Sequence, residues 1–415
     1  MSSLNLYDPQ STINHVKNLA FKRYAATDGE TKAVNYILKE LEKENISYKV
    51  ESFEWTKTLS KLKNLFLFSI FLFVLITEVI LLFPFAAWVI LPLDGLMLVI
   101  ILLAGKYIFD LSRIIFIGKK RTSKNVITTA QAKDPNSKRP VIIFSAHHDS
   151  VSSIFPVNMG KILLLSGLFL LLSHIIINLI LAIWSIVTLF SVITIGFVFL
   201  LIRNISLVIG IVILIDLFIN FFNIKVNRSV GSVDNASGVS VLIELAKLVK
   251  KQPLEKTDVI FLWAGAEEMG VWGSKQYCLK HFEELDNEYD LDKSYNINID
   301  MVGTSIGLEE ETGILKKRKL NKNLNDVLKA SNLQDKFPIE KIKIPLGAGS
   351  DHVVFRSYAK KTKIKGFQIS CFSSGKDVKY IHSKKDTPEL CSAEVLNSCI
   401  EICFNAIKSL DLRVE

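Results

Sequence analysis

Residues 140–149 read Pro-Val-Ile-Ile-Phe-Ser-Ala-His-His-Asp. An unbroken apolar run rich in β-branched residues is a strand buried on both faces, and the polar cluster at its carboxyl end is where open α/β sheets carry function. The pattern recurs: Val259-Ile-Phe-Leu-Trp263 precedes Glu267-Glu268, Tyr295-Asn-Ile-Asn-Ile299 alternates before Asp300, and Lys365-Gly-Phe-Gln-Ile-Ser370 reads as another strand. Helical spacing of apolar residues runs through Thr31 to Lys43, Val241 to Val249 and Ala393 to Leu410. Strands alternating with helices predict an α/β sandwich with a mostly parallel central sheet.

Two stretches do not belong to such a sheet. Residues 62–118 and 161–224 are dominated by Leu, Ile, Phe and Val and read as transmembrane inserts. They divide one soluble domain into the pieces 1–61, 119–160 and 225–415. In the first insert Leu65 to Phe83 is long enough to span, Pro84, Pro92, Asp94 and Gly95 mark a turn, and a second run leads from Leu96 toward Ile117. In the second insert no charged residue occurs between Ile162 and Ile202, and a further apolar segment from Ile205 to Phe222 contains Asp216, which allows two or three spans. His147 lies between the inserts and the remaining acidic and His candidates lie after the second, so one site requires an even number of crossings. The third run then reads as interfacial, re-entrant or part of two unusually long helices.

Lys57, Lys61, Lys63, Lys119, Lys120, Arg121, Lys161, Lys225 and Arg228 flank the inserts on the domain side. The opposite turns carry only Asp94 and, near Trp184-Ser185, no charge, so the soluble domain is expected to face the cytoplasm. Within the spans, Glu78, His174 and Asn178 read as partners for neighbouring helices, and Lys106, Asp110 and Arg113 as a mutually paired, snorkelling set near a span end. Met1 to Gln10 shows no basic stretch followed by an apolar core, so insertion is expected to rely on the internal spans. The five cysteines lack CxxC spacing and read as buried free thiols on a reducing side. A net charge of +9 comes from lysines that are dispersed or beside the inserts, without interleaved aromatics, which argues against nucleic acid. His15 and His281 read as surface residues, and Glu309-Glu-Glu311 as a solvated loop.

The polar groups at the strand ends make a chemical set. Zinc takes imidazole nitrogen and carboxylate oxygen, and two ions close together need a shared carboxylate. His147, Asp234, Glu268, Asp300 and His382 supply five such donors, which leaves Glu267 free as a general base.

In these residues the chain resembles the co-catalytic zinc aminopeptidases, the family that includes aminopeptidase Y, glutamate carboxypeptidase, the transferrin-receptor ectodomain and glutaminyl cyclase. Ser145-Ala-His-His-Asp-Ser150 resembles the first ligand motif, in which Asp149 orients His147. Gly231-Ser-Val-Asp-Asn-Ala-Ser-Gly238 is similar to the segment whose aspartate, Asp234, bridges both zincs and is followed by a cis peptide. Ala266-Glu-Glu-Met-Gly270, Asn298-Ile-Asp-Met-Val-Gly303 and Ile381-His-Ser-Lys-Lys-Asp-Thr387 match the remaining motifs, and Ser350-Asp-His-Val-Val-Phe355 resembles a segment near the substrate, with Asp351 and His352 as candidate contacts. His148 and Ser232-Val233 depart from the usual pattern. The resemblance implies a three-layer α/β fold, two zinc ions, a peptide substrate and hydrolysis at a free amino terminus, in a form embedded in the lipid bilayer. Cyclisation of amino-terminal glutamine, a non-catalytic scaffold and, from the inserts, a transporter are the alternatives.

Overall fold

The computed structural model describes residues 8–108, 114–134, 138–191, 195–312, 318–333, 336–344 and 349–414. In chain order the helices are α1 (Pro9–Asn18), α2 (Asp28–Lys43), α3 (Thr58–Leu81), α4 (Ile90–Ile108), α5 (Val157–Phe190), α6 (Phe197–Phe222), α7 (Ser237–Lys251), α8 (Trp272–Glu288), α9 (Lys322–Ala330), α10 (His352–Thr362) and α11 (Ala393–Asp411). The strands are β1 (Lys49–Trp55), β2 (Arg121–Ala130), β3 (Val141–His147), β4 (Ser152–Ser153), β5 (Lys225–Val226), β6 (Asp258–Ala264), β7 (Tyr295–Ile299), β8 (Ile306–Thr312), β9 (Arg318–Lys319), β10 (Ile339–Ile344) and β11 (Gln368–Ser373). They fall into two units, one made of Met1–Lys57, Leu111–Ser152 and Lys225–Glu415, the other of Thr58–Asp110 and Ser153–Ile224.

Every residue of β3 and of β6 is buried, as an apolar strand between two helical layers must be. The main sheet of the first unit runs β1-β2-β6-β3-β7-β11-β8-β10, with β9 paired to β8. Its centre, β6-β3-β7-β11, is parallel, and antiparallel β2 and β1 complete one side. The β3–β6 register sets His147 opposite Ala264, so the candidate site residues that follow both strands emerge together. On one face Ile143, Ile260 and Leu262 pack against Tyr277, Cys278 and Phe282 of α8 and Val354, Phe355 and Tyr358 of α10. The other face is covered by α7, on which α1 and α11 lie. This mixed sheet between helical layers is the α/β sandwich with a parallel centre that the sequence predicts. All five cysteines are buried and free.

His15 is not at the surface. It lies on the face of α1 that packs against α7, and its ring sits 2.7 Å from the Tyr36 hydroxyl and 2.8 Å from Glu244, which also pairs with Lys247 at 3.0 Å. His281 is half-buried between Glu51 at 2.9 Å and Glu284 at 3.0 Å. Glu309 to Glu311 belong to β8 rather than to a loop, and Glu309 is buried.

Among its described residues the second unit holds four helices long and apolar enough to cross a membrane: Thr58–Leu81, Pro84–Ala104, Val157–Phe190 and Phe197–Phe222. Ile70, Phe73 and Val74 pack with Met97, Leu171, Ile175, Ile213 and Leu217, while large side chains such as Phe68, Leu102, Phe169 and Phe218 point outward. The first break falls at Phe83-Pro84, and α4 runs through Pro92, Asp94 and Gly95 instead of turning there. Pro92 sits in the first turn, where its missing N–H costs no helical bond. The second insert forms two long helices, and Trp184-Ser185 lies inside α5, because nothing there breaks the helix before Ser191. His174 binds the Thr77 and Ser206 hydroxyls, each at 3.1 Å, and Ser206 donates to Asn178 at 2.8 Å, so the polar residues within the helices find one another. Asp110 and Arg113 of the expected pairing set lie outside the described residues, as does the Lys106 side chain.

Candidate metal centre

β3 ends on His147, and Asp149 folds back beneath it, with its Oδ1 3.5 Å from His147 Nδ1. Asp149 Oδ1 also accepts the amide N–H of Glu267 at 3.0 Å and its Oδ2 that of Glu268 at 3.2 Å, so one buried carboxylate ties the loop after β3 to the loop after β6. Asp234 lies just before α7 and spreads its two oxygens, Oδ1 at 3.1 Å from His147 Nε2 and Oδ2 at 3.1 Å from His382 Nε2. Asp300 follows β7 and stands 3.4 Å from His147 Nε2, while Glu268 stands 2.9 Å from His382 Nε2. Two donor groups result, His147 with Asp234 and Asp300, and Asp234 with Glu268 and His382, the donor atoms of each lying within 4.8 Å of one another. Glu267 stands 4.0 Å from His147 and belongs to neither group.

The donors fit a pair of divalent cations. Oε1 of Glu268 and Oδ1 of Asp300 are buried without a hydrogen-bond partner. Burial alone would lower both imidazoles, yet the carboxylates around them, Glu267 foremost for His147 and Glu268 for His382, hold His147 well above its ordinary range and His382 at about 10. The centre therefore carries negative charge that its own residues do not balance, and the nitrogen and oxygen donors are those zinc prefers.

The backbone is held in uncommon conformations here. Ala266 (φ 52°), Met301 (φ 70°) and His382 (φ 54°) are non-glycine residues in the left-handed region, and each adjoins or is a donor or the base. The Asp234–Asn235 peptide bond is cis. At Gly231 (φ 59°) a Cβ would stand 2.4 Å from the Asp234 carbonyl oxygen and 2.5 Å from Ser150 Cβ, so only glycine lets the chain enter this turn.

Residues 221–407 match the model of peptidase family M28. The matched stretch is a little under half of the chain. It contains Asp234, Glu268, Asp300 and His382, and the fold brings in His147 from upstream of it. Aminopeptidase YwaD of Bacillus subtilis (strain 168) is 36% identical over 128 residues, which are 31% of this chain and about a quarter (26%) of that protein. Among solved structures, an aminopeptidase from Aneurinibacillus sp. strain AM-1 superposes with a TM-score of 0.53 at 16% identity, covering 97% of this chain and 94% of its own. BSAP, a zinc aminopeptidase from Bacillus subtilis, gives 0.52 at 14% identity over 99% and 95%. A glutaminyl cyclase from an Acidobacteriales bacterium gives 0.53 at 13% identity over 98% and 96%, so the likeness to solved structures is one of fold.

Several residues that support this centre had no signal in the sequence. Asp386 accepts the amides of Val233 at 2.6 Å and Asp234 at 3.2 Å, and burial, then the Asp234 carboxylate, pushes it up to about 7. It lies in the His382 motif but reads there as one more polar residue. Arg23 is fully buried and donates to the carbonyls of His148 at 2.9 Å and Gly231 at 2.8 Å, clamping two ligand loops from a segment without any motif. Lys225 bonds the Glu268 carbonyl and stands 3.3 Å from its carboxylate, which the expectation of a membrane-flanking lysine did not include. Asp351 is fully buried beside the centre, and burial, with Asp149 and Asp300 adding to it against His147, pushes it up to about 6. His352 is fully buried and faces Glu309 at 2.9 Å, away from the two donor groups.

Proposed function

We propose that this chain is a membrane-integral zinc metallopeptidase, an aminopeptidase that hydrolyses the peptide bond next to a free amino terminus. The observation that carries this reading is the shared carboxylate, since Asp234 stands 3.1 Å from His147 through one oxygen and 3.1 Å from His382 through the other. His147, Asp234 and Asp300 would hold one zinc ion, and Asp234, Glu268 and His382 a second. Bound zinc supplies Lewis acidity and brings the pKa of water to about 7.

Glu267 takes a proton from the attacking water and returns it to the leaving amine. Burial, with Glu268, Asp351 and Asp300 adding to it against the pull of His147, holds Glu267 well above the usual carboxylate range, which suits a group that must carry a proton between two atoms. Asp149 keeps His147 oriented and, through the two amides, keeps Glu267 and Glu268 in place. Asp351 is the group we assign to the substrate's amino end. The M28 match and the identity with an aminopeptidase support the peptidase class.

The four apolar helices would cross the bilayer, two per insert, and the basic residues from Lys57 to Arg228 at their domain-side ends support a cytoplasmic M28 domain. Metal analysis of detergent-purified protein, alongside hydrolysis of aminoacyl-amide substrates, tests the reading. Two zinc ions per chain and chelator-sensitive release are expected. One zinc with cyclisation of amino-terminal glutamine and no release would overturn it in favour of a cyclase, and an absence of metal in favour of a scaffold.

A further inference from the structure

A second convergence of metal-binding side chains lies in the core of the sheet unit, on elements the catalytic reading does not use. Glu309 comes from β8, His352 opens α10 and Cys371 comes from β11, and one donor atom of each lies within 4.8 Å of the others. His352 is 0%, Cys371 1% and Glu309 8% exposed, so water does not solvate these groups. Glu309 Oε2 and His352 Nε2 are 2.9 Å apart, yet Glu309 Oε2 and both ring nitrogens of His352 have no hydrogen-bond partner. An unsatisfied buried carboxylate oxygen and imidazole carry a desolvation cost that a hydrogen bond or a metal ion has to offset. The separation is right for a hydrogen bond but the direction is not, whereas a cation placed between the three donors requires no such alignment.

We propose that Glu309, His352 and Cys371 form a third metal site, for a zinc-class cation, separate from the catalytic pair. One nitrogen, one oxygen and one sulfur are a donor set for tetrahedral zinc, with a fourth position left for water. The Cys371 thiol, which accepts from Asn298 at 3.4 Å and donates to the Phe372 carbonyl at 3.3 Å, would lose its proton on binding the ion, as coordinating thiols do. Arg356 lies near enough for its charge to be felt by both Glu309 and Cys371. The ion would tie β8, β11 and α10 together directly behind the catalytic groups. Asp351 precedes His352 in the chain, and Phe372, next to Cys371, accepts the Asp300 amide at 3.0 Å.

The sulfur donor makes the site separable from the catalytic centre, whose donors are all nitrogen and oxygen. The test uses the full chain in detergent, stripped with a chelator and reloaded with cobalt(II). A thiolate-to-cobalt charge-transfer absorption is expected in the wild type, abolished by Cys371→Ser and unchanged by Cys278→Ser. Zinc analysis should find one ion fewer in His352→Asn and in Glu309→Gln than in the wild type. Asp234→Asn should leave the charge-transfer band in place while lowering the zinc count, so a failed catalytic reading and a failed third site give different results. If Cys371→Ser does not fold, judged by circular dichroism, the two ligand variants that keep the thiol carry the test through the band's shift or loss. A wild type without the band, or a band that persists in Cys371→Ser, overturns the proposal.

Discussion

Glu267 and Glu268 are neighbours in the chain, yet only Glu268 joins a donor group, and both are held by amide bonds to Asp149. Glutamine at 267 keeps the shape but cannot take up the proton, so Glu267→Gln should retain full metal content while kcat falls by about 10²- to 10⁴-fold, measured by metal analysis and steady-state kinetics on one sample. Asp149→Asn replaces one of the two acceptor oxygens, and titration with zinc should show an affinity weaker by about 10- to 100-fold. Glu30 offers a readout far from substrate. Burial first, and the Asp149 carboxylate next, raise it from 4.5 to about 8, while the Ala26 amide and the Ser123 hydroxyl oppose the shift. Between those two values the folded chain keeps a proton that the unfolded chain has released, so stability falls as pH rises through the window and then levels off. Glu30→Gln should remove this loss, on the order of a few kcal/mol at most, so that thermal melts show the variant gaining over wild type at pH 9 but not at pH 5. The candidate donors and Glu267 were legible in the sequence because each stands in a short motif, most of them after an apolar run. Arg23, Glu30 and Asp386 were not, because the partners that define them lie far along the chain or on the backbone.

Elements were readable in proportion to how strongly one periodicity ruled them. β3 and β6 were read within a residue or two of their ends because burial on both faces leaves mostly apolar residues, and β7 by its alternation of asparagine with apolar residues. β11 begins three residues later than expected, at Gln368, since the amides of Lys365 and Gly366 donate to the Asp292 carboxylate at 3.1 and 2.7 Å and not to a neighbouring strand. Helix breaks in the apolar inserts were harder, because proline punctuates a helix only beyond its first turn. What joins those helices is also invisible to periodicity. A Cβ at Gly210 of α6 would stand 2.0 Å from Glu78 Oε1 and 2.5 Å from its Cδ, so this small residue makes room for a carboxyl group from α3. Gly210→Leu should lower the melting temperature in detergent, and Glu78→Ala in the same chain should recover part of the loss. Ser206→Ala removes the bonds to His174 and Asn178 and should cost about 1 kcal/mol or less, the usual worth of such bonds between membrane helices.

At the scale of the whole molecule, long apolar helices alternate with sheet-type runs along one chain, a division legible because the two differ so sharply in composition. The expected parity of crossings followed from the position of His147 relative to the other donors, and among the described residues each insert holds two candidate spans. The native cysteines are buried, which favours labelling at introduced ones. A membrane-impermeant thiol reagent should reach Asn45→Cys and Leu412→Cys from the cytoplasmic side and Phe85→Cys and Phe190→Cys only from the other; labelling of all four from one side would refute four crossings. The strand order has a further consequence, for synthesis. β1 and β2 pair with Trp55 opposite Arg121 although the whole first insert separates them, and β3 lies between β6 and β7, both of which leave the ribosome after it. On the proposed topology the emerging polypeptide therefore threads the second hairpin into the bilayer while β3 waits with both edges bare, a state that invites aggregation and calls for chaperones at the translocation site. His382 is the last of the five donors to be translated, so the centre is assembled only after the central strands and both inserts have been made.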